Sequence, residues 1–184
     1  STASYFFALA AITGGCIGVD NLNRNSAQGD VKFVEILEQM GCRVNYLDNG
    51  IKVSGNGTLN GVEVDMNAIS DTSMTLAAIA PFATSPTTIR NIEHCRLQES
   101  DRITAMVTEL QRLGGEIEEF QDGLRIQPTT EMQPAEIETY DDHRMAMSFT
   151  LVGLKRAGIK IKNPACVNKT FPCYFQVLSQ LVEG

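Results

Sequence analysis

The sequence is poor in the patterns that mark several large classes of protein. Its five cysteines (Cys16, Cys42, Cys95, Cys166 and Cys173) form no C-x-x-C pair, and their number is odd. A reduced, cytoplasmic protein is the simplest reading. The two histidines, His94 and His143, lie near no cysteine pair, which argues against a zinc site. The longest apolar run, YFFALAAI from Tyr5, is far too short to span a bilayer, and no secretory signal is visible. Positive charge is scarce: 15 Lys and Arg stand against 22 Asp and Glu, a net charge of −7. That balance disfavours nucleic acid, which needs a basic face. It does not forbid a small anion, because a few arginines can be focused in one cleft.

What remains has the composition of an ordinary globular core, with 43% apolar and 20% charged residues over 184 positions. A chain of this length makes one or two domains and buries roughly 70% of its unfolded surface. It opens STASYFFALAAI with no Met, at the lip of a helix, and so reads as a piece of something longer.

Three stretches read alike: STASYFFALAAITGGCIGVDNL, SDTSMTLAAIAPFATSPTTIRNI and YDDHRMAMSFTLVGLKRAGIKIKNP each give a small-residue helix, a break and a strand. After the first comes an amphipathic helix and two strands joined at Asp48-Asn49-Gly50. After the second comes the same pattern, with Ile103, Met106, Val107, Leu110 and Leu113 marking the helix and Asp122-Gly123 the turn. The approximate repeats are 1–57, 58–128 and 129–184, each leading into the next through a further strand such as GVEVDM or AEIETY. The third copy stops in its second helix, KTFPCYFQVLSQLVEG, with Thr170 as its expected cap, and lacks the closing hairpin. An unpaired sheet edge would then be completed from elsewhere in a parent chain.

Each copy places polar residues at helix starts, where free N–H donors and positive potential favour anions. The second supplies Asp71 and the run EHCRLQESDRI with His94, Arg96, Gln98, Glu99, Asp101 and Arg102. The third supplies Asp142, His143 and Arg144, then Lys169. Arg144 is the odd member, since a cation in a first turn opposes the dipole unless an anion sits there. Taken singly, these residues have plainer readings. Arg102 pairs with Glu99 or Asp101, Lys169 is a solvated lysine, His143 is a cap or core hydrogen-bonder, Asp71 is a helix-start acid, and Met145 and Met147 fill the core. Their coincidence in a repeat register is what points to an anion site, with arginine the preferred partner of planar oxyanions.

DMNAISDTSMTLAAIAPFA, TTIRNIEHCRLQESDRI, TYDDHRMAMSFTLVGL and NKTFPCYF resemble, in order and spacing, the motifs of the 5-enolpyruvylshikimate-3-phosphate synthase family; STASYFFALAAITGG and NSAQGDVKFVEILEQMGC do so too, and the resemblance runs the length of the chain. It implies an α/β (α+β) fold in which residues 1–184 form one lobe of a two-lobe enolpyruvyl transferase, the lobe holding the C-terminus. Three β-α-β-α-β-β units surround buried helices, and the last is incomplete.

The resemblance further implies transfer of the enolpyruvyl group of phosphoenolpyruvate to the 5-hydroxyl of shikimate 3-phosphate, without metal or organic cofactor. Arg102, Arg144 and Lys169 would bind phosphoenolpyruvate, Asp71 would hold or deprotonate the 5-hydroxyl, and Glu99 would protonate the methylene carbon. His94, Gln98 and Asp71 fall on the shikimate 3-phosphate side. Two positions depart from the family's commonest pattern: Gln98 stands where a Lys is usual and His94 where Asn is frequent. Gln98 hydrogen-bonds but supplies no positive charge. Without the other lobe, the chain is expected to fold and to be catalytically silent. The rivals are an enolpyruvyl transferase acting on UDP-N-acetylglucosamine and a non-catalytic anion-binding module.

Overall fold

The structure is a computed structural model that describes residues 2–183. Three helices form its centre: α1 (Ala3–Thr13), α3 (Ser73–Ile79) and α5 (His143–Lys155). All seven residues of α3 are buried, as are eight in α1 and eight in α5. Helices apolar on every side have no solvent face to offer, so they pack against one another, each touching the other two. Small residues make this approach close: Ala8, Ala10 and Ala11 on α1, Ala77 and Ala78 on α3, and Ala146 on α5 are all buried. Two further helices, α2 (Gly29–Gln39) and α4 (Arg102–Arg112), are amphipathic, and α6 (Tyr174–Glu183) buries Tyr174 and Leu178.

Three sheets wrap this centre. Antiparallel β1 (Cys16–Asp20), β3 (Gly50–Ser54) and β2 (Arg43–Leu47) lie in the order β1-β3-β2. The second sheet runs β4 (Glu63–Asp65), β5 (Thr87–Arg90), β7 (Gly123–Ile126), β6 (Ile117–Phe120), with β4 parallel to β5. The third pairs β8 (Ala135–Ile137) with β9 (Ile159–Ile161) in parallel. Strand alternation sends Ile51, Val53, Ile89, Leu124, Ile126 and Ile137 inward onto the helices.

Both expected hairpins form, but their glycines serve a different purpose from the one the turn signal suggests. Leu47 pairs with Gly50 and Phe120 with Gly123, so each glycine opens the second strand and the turn residues are Asp48-Asn49 and Gln121-Asp122. None of those four has a positive φ. The glycines answer to a third strand instead: a Cβ on Gly50 would lie 2.8 Å from the Val19 carbonyl oxygen, and one on Gly123 would lie 1.9 Å from that of Ile89. The expected cap at Thr170 also differs. A 3-10 turn over Pro164–Lys169 ends at Thr170, and α6 begins only at Tyr174.

The buried helices share a direction. Near one end of the lobe Ser4 Oγ, in the first turn of α1, meets Thr75 Oγ1 of α3 at 3.4 Å, and Arg102 at the start of α4 meets the Asp142 cap of α5. At the other end Ile12, Pro81 and Arg156, each at the finish of its helix or just beyond, line one cleft of about 440 Å³. The free N–H ends of the central helices therefore gather on a single face.

Gly123→Ala is expected to destabilise the chain by about 3 kcal/mol or more, because backbone must move to admit the methyl. Gly57→Ala, with a φ of +82° and nothing within 4 Å of the added Cβ, is expected to lose only about 1 kcal/mol. Urea unfolding of the two variants measures the difference.

Candidate functional site

The face where the helices start carries the charged residues singled out above, and it holds them through one buried contact. Asp142 precedes α5 and is fully buried. Its Oδ1 accepts the Arg144 backbone N–H at 3.0 Å, which caps the helix, and its Oδ2 accepts Arg102 Nε at 2.8 Å and the Ser100 hydroxyl at 2.9 Å. Arg102, the first residue of α4, is only 5% exposed. Arg102 thus passes over its neighbours Glu99 and Asp101 for a carboxylate on another helix. Asp101 instead caps α4, accepting from Thr104 N, and forms a salt bridge with Arg96 at 3.1 Å.

The remaining residues hang on this pair. Gln98 Oε1 accepts from Arg102 Nη1. Asp71, half-exposed in the turn before α3, sits between two guanidinium groups, at 3.7 Å from Arg102 Nη1 and 3.2 Å from Arg144 Nη2, and its carbonyl oxygen accepts from Arg144 Nη1 at 3.0 Å. Beside Asp71, Ser70 Oγ shares a 2.8 Å hydrogen bond with His94 Nε2. Glu99 meets His143 Nδ1 at 3.2 Å. Lys169 donates to the Asp141 carbonyl at 2.6 Å and to its carboxylate at 2.9 Å, and feels the charge of Glu99.

The seven residues that the resemblance assigns to the site, Asp71, His94, Gln98, Glu99, Arg102, Arg144 and Lys169, therefore fall in one connected set with Asp142 and His143, whereas Arg96 and Asp101 pair with each other beside it. Sequence reasoning left Ser70, Ser100 and Asp141 out of the site. The Asp141-Asp142 doublet was a visible signal, whereas two serines in polar loops gave none. Tyr140 and Asp141 both occupy the left-handed region, with φ of 56° and 54°. That corner is held by Tyr140 Oη on the buried Glu109 at 2.9 Å and by Asn163 Nδ2 on Asp141 at 3.2 Å.

Electrostatics follow from the pairing. Burial alone would raise the Asp142 carboxyl, but hydrogen bonds and charge from Arg102, with the Arg144 N–H and Ser100, hold it below the ordinary carboxylate range. Arg102 is raised correspondingly, although its own burial acts the other way. Asp141 is lowered and Lys169 raised, each chiefly by the hydrogen bond to the other. Ligand atoms of Glu99, Asp142 and His143 lie within 4.8 Å of one another, the grouping among the described residues that would suit a cation. The donors already on Asp142 leave such an ion to compete with a guanidinium. Oxyanion chemistry suits the face better: guanidinium groups at the starts of α4 and α5 and the ammonium of Lys169 at the end of a 3-10 turn, beside carboxylates able to move protons.

Asp142→Asn is expected to lose about 3–5 kcal/mol, since it strands a buried guanidinium. Because the Asp142 carboxyl is depressed in the fold, the stability it contributes is complete above the unfolded value near 4 and is lost as pH falls through the lower folded value. Acid unfolding of the wild type should steepen below about pH 4, and the Asn variant should lack that component.

The family model for EPSP synthase (3-phosphoshikimate 1-carboxyvinyltransferase) matches residues 1–178. The 3-phosphoshikimate 1-carboxyvinyltransferase of Nostoc punctiforme is 56% identical over 183 residues, covering 100% of this chain and 43% of that protein. That of Yersinia pseudotuberculosis serotype O:3 is 50% identical, covering 100% and 42%. Among solved structures, an EPSP synthase from Acinetobacter baumannii superposes with a TM-score of 0.84 at 27% identity, over 97% of this chain and 44% of that one. The chain spans less than half the length of these relatives. Over its whole length, with three sheets wrapped around buried helices and the charged helix starts described above, it belongs to the EPSP synthase family.

Proposed function

We propose that the protein of which these residues form one lobe transfers the enolpyruvyl group of phosphoenolpyruvate to the 5-hydroxyl of shikimate 3-phosphate, releasing phosphate. The observation that carries this reading is the meeting of Arg102 and Arg144, at the starts of α4 and α5, and of Lys169 with Asp71 and Glu99 on one face. Arg102, Arg144 and Lys169 take the phosphate and carboxylate of phosphoenolpyruvate, a pair of oxyanions that suits two guanidinium forks and an ammonium. Asp71 holds the 5-hydroxyl and accepts its proton as the oxygen attacks C2. Glu99, steadied by His143, gives a proton to the C3 methylene, completing a tetrahedral adduct. Loss of phosphate, with return of a C3 proton to a carboxylate, restores the double bond. His94 and Gln98 lie to the shikimate 3-phosphate side, His94 beside Asp71 through Ser70 and Gln98 on Arg102.

Each cation of the site is already matched by a carboxylate: Arg102 by Asp142, Arg144 by Asp71 and Lys169 by Asp141. An incoming anion must exchange with Asp71 and Asp141, so this lobe alone binds anions weakly. Turnover requires the second lobe, which shuts out water and adds donors for the charge that develops in the transition state. A cytoplasmic setting fits the five free cysteines. No described helix is long and apolar enough to cross a membrane.

The test is phosphate release from phosphoenolpyruvate and shikimate 3-phosphate, by this chain and by the full-length protein. Release by the full-length protein alone is expected. A folded full-length protein that releases none, or that prefers UDP-N-acetylglucosamine as acceptor, overturns the reading. Glu99→Gln should lower kcat by about 10²–10⁴-fold with shikimate 3-phosphate binding retained, which a non-catalytic anion-binding module would not show.

A further inference from the structure

Between the buried residues Cys95 and Arg102 runs a loop that its own backbone does little to hold. The segment starts within a 3-10 turn over Glu93–Leu97 and ends at the first residue of α4. Among the described residues, Glu99 and Ser100 take part in no backbone–backbone hydrogen bond. No side chain from 96 to 101 is buried, and Leu97 is 91% exposed, so packing does not fix the loop either. Yet Gln98 and Glu99 belong to the proposed site, where a displacement of about 1 Å can cost about 10²-fold in rate. Their placement comes from the other side of the loop.

There the Arg96 guanidinium donates from Nε to the Gln121 carbonyl at 3.0 Å and from Nη2 to the Phe120 carbonyl at 2.7 Å, both at the turn of the β6–β7 hairpin. Nη2 also lies 2.9 Å from the Glu119 carboxylate on β6. Nη1 donates to the two Asp101 carboxylate oxygens at 3.3 and 3.1 Å and to Thr104 Oγ1 at 3.0 Å. Asp101 caps α4, so one guanidinium joins the near end of the loop, the helix start at its far end and the hairpin behind. Glu93 adds a second tie, accepting from Gln121 Nε2 at 2.9 Å. The Arg96–Asp101 bridge closes a ring around Leu97, Gln98, Glu99 and Ser100. From that ring Gln98 reaches Arg102, Glu99 reaches His143 and Ser100 reaches Asp142. The Asp101 and Glu119 side chains are 41% and 35% exposed, and ion pairs this open to water add little stability. What Arg96 supplies is location.

Resting on the function proposed above, we propose that Arg96 is a positioning residue for that reaction: by fastening the 96–101 loop to the β6–β7 hairpin, it sets where the Glu99 carboxylate stands against His143 and the C3 methylene of phosphoenolpyruvate. It touches no reacting group itself. Lysine does not substitute for it, because three donors on one ammonium cannot serve two carbonyls, two carboxylates and a hydroxyl arranged around a planar fork.

The test uses the full-length protein and two readouts. The ring-nitrogen resonances of His143 report by NMR whether Glu99 is in place, with no turnover involved. Phosphate release from phosphoenolpyruvate and shikimate 3-phosphate gives kcat and KM. In Arg96→Lys the His143 resonances are expected to move toward their positions in Glu99→Gln, and to move no further in the double variant. kcat is expected to fall about tenfold or more, with KM for phosphoenolpyruvate held within about twofold. Arg96→Gln should behave alike, and it decides the matter if the lysine variant does not fold. Arg90→Met is the control: Arg90 reaches the same hairpin from β5, over the Phe120 ring at 4.4 Å and beside Asp122 at 3.6 Å, and its loss should leave both readouts in place. His143 resonances unmoved in the Arg96 variants overturn the proposal. So does an unchanged kcat with a lowered thermal midpoint, which leaves Arg96 a stabilising residue only, and so does an equal loss in Arg90→Met, which assigns the effect to the hairpin at large. A wild-type protein that releases no phosphate sinks the synthase reading, and the His143 resonances still decide whether Arg96 places Glu99.

Discussion

The buried pair of Arg102 and Asp142 is the contact on which the rest of the lobe's working face depends. It joins the first residue of α4 to the cap of α5, at 2.8 Å, with both side chains almost wholly out of water. Removing two charges from solvent is expensive, and such a pair seldom adds net stability over an apolar substitute. What it supplies is register. Because Asp142 also accepts from Arg144 N and Ser100, the pair settles where the loop carrying Gln98 and Glu99 sits relative to the start of α5. The geometry of the proposed site is inherited from a structural ion pair.

A second constraint is neutrality. Arg102, Arg144 and Lys169 do not present bare charge to solvent; each is held by an aspartate of the same lobe. In a chain of net charge −7 this is economical, as unpaired cations would attract stray anions or collapse onto surface carboxylates. It also means that binding is an exchange of partners. Asp71, half-exposed and bridging two arginines, is the partner most easily displaced, whereas Asp142 is locked in place by four donors. The site has one yielding carboxylate and one fixed one, and the roles proposed for them differ accordingly.

Much of this was legible in the sequence. The all-round apolar character of the helices containing YFFALAAI and SMTLAAI marked them as central, and the three-four spacing from Ile103 to Leu113 marked α4. Clustering of Arg102 and Arg144 was legible because both stand at the starts of helices whose first turns meet on one face. Pairwise partners were not: Arg102 had two acids within three residues and chose one forty residues away, a preference set by the crossing of α4 and α5 that no local pattern encodes. The glycines at 50 and 123 looked like turn formers, yet their reason lies in the carbonyl of a neighbouring strand. The Thr170 cap failed for a similar reason, since the 3-10 turn before it and Pro172 after it push the start of α6 to Tyr174.

The left-handed corner at Tyr140 and Asp141 has a consequence for motion. Each of those residues forgoes about 1–2 kcal/mol of backbone preference, and the hydrogen bonds from Tyr140 to Glu109, Asn163 to Asp141 and Lys169 to Asp141 offset it. Asp141 and Lys169 are surface groups, so part of that offset is open to water and salt. Local opening at Tyr140 and Asp141 is therefore expected to lie closer in free energy to the native state than opening of the helical centre, and their amides to exchange faster than those of α1, α3 and α5. The joint that delivers Asp142 to its arginine is thus braced from its outer side by contacts that salt weakens.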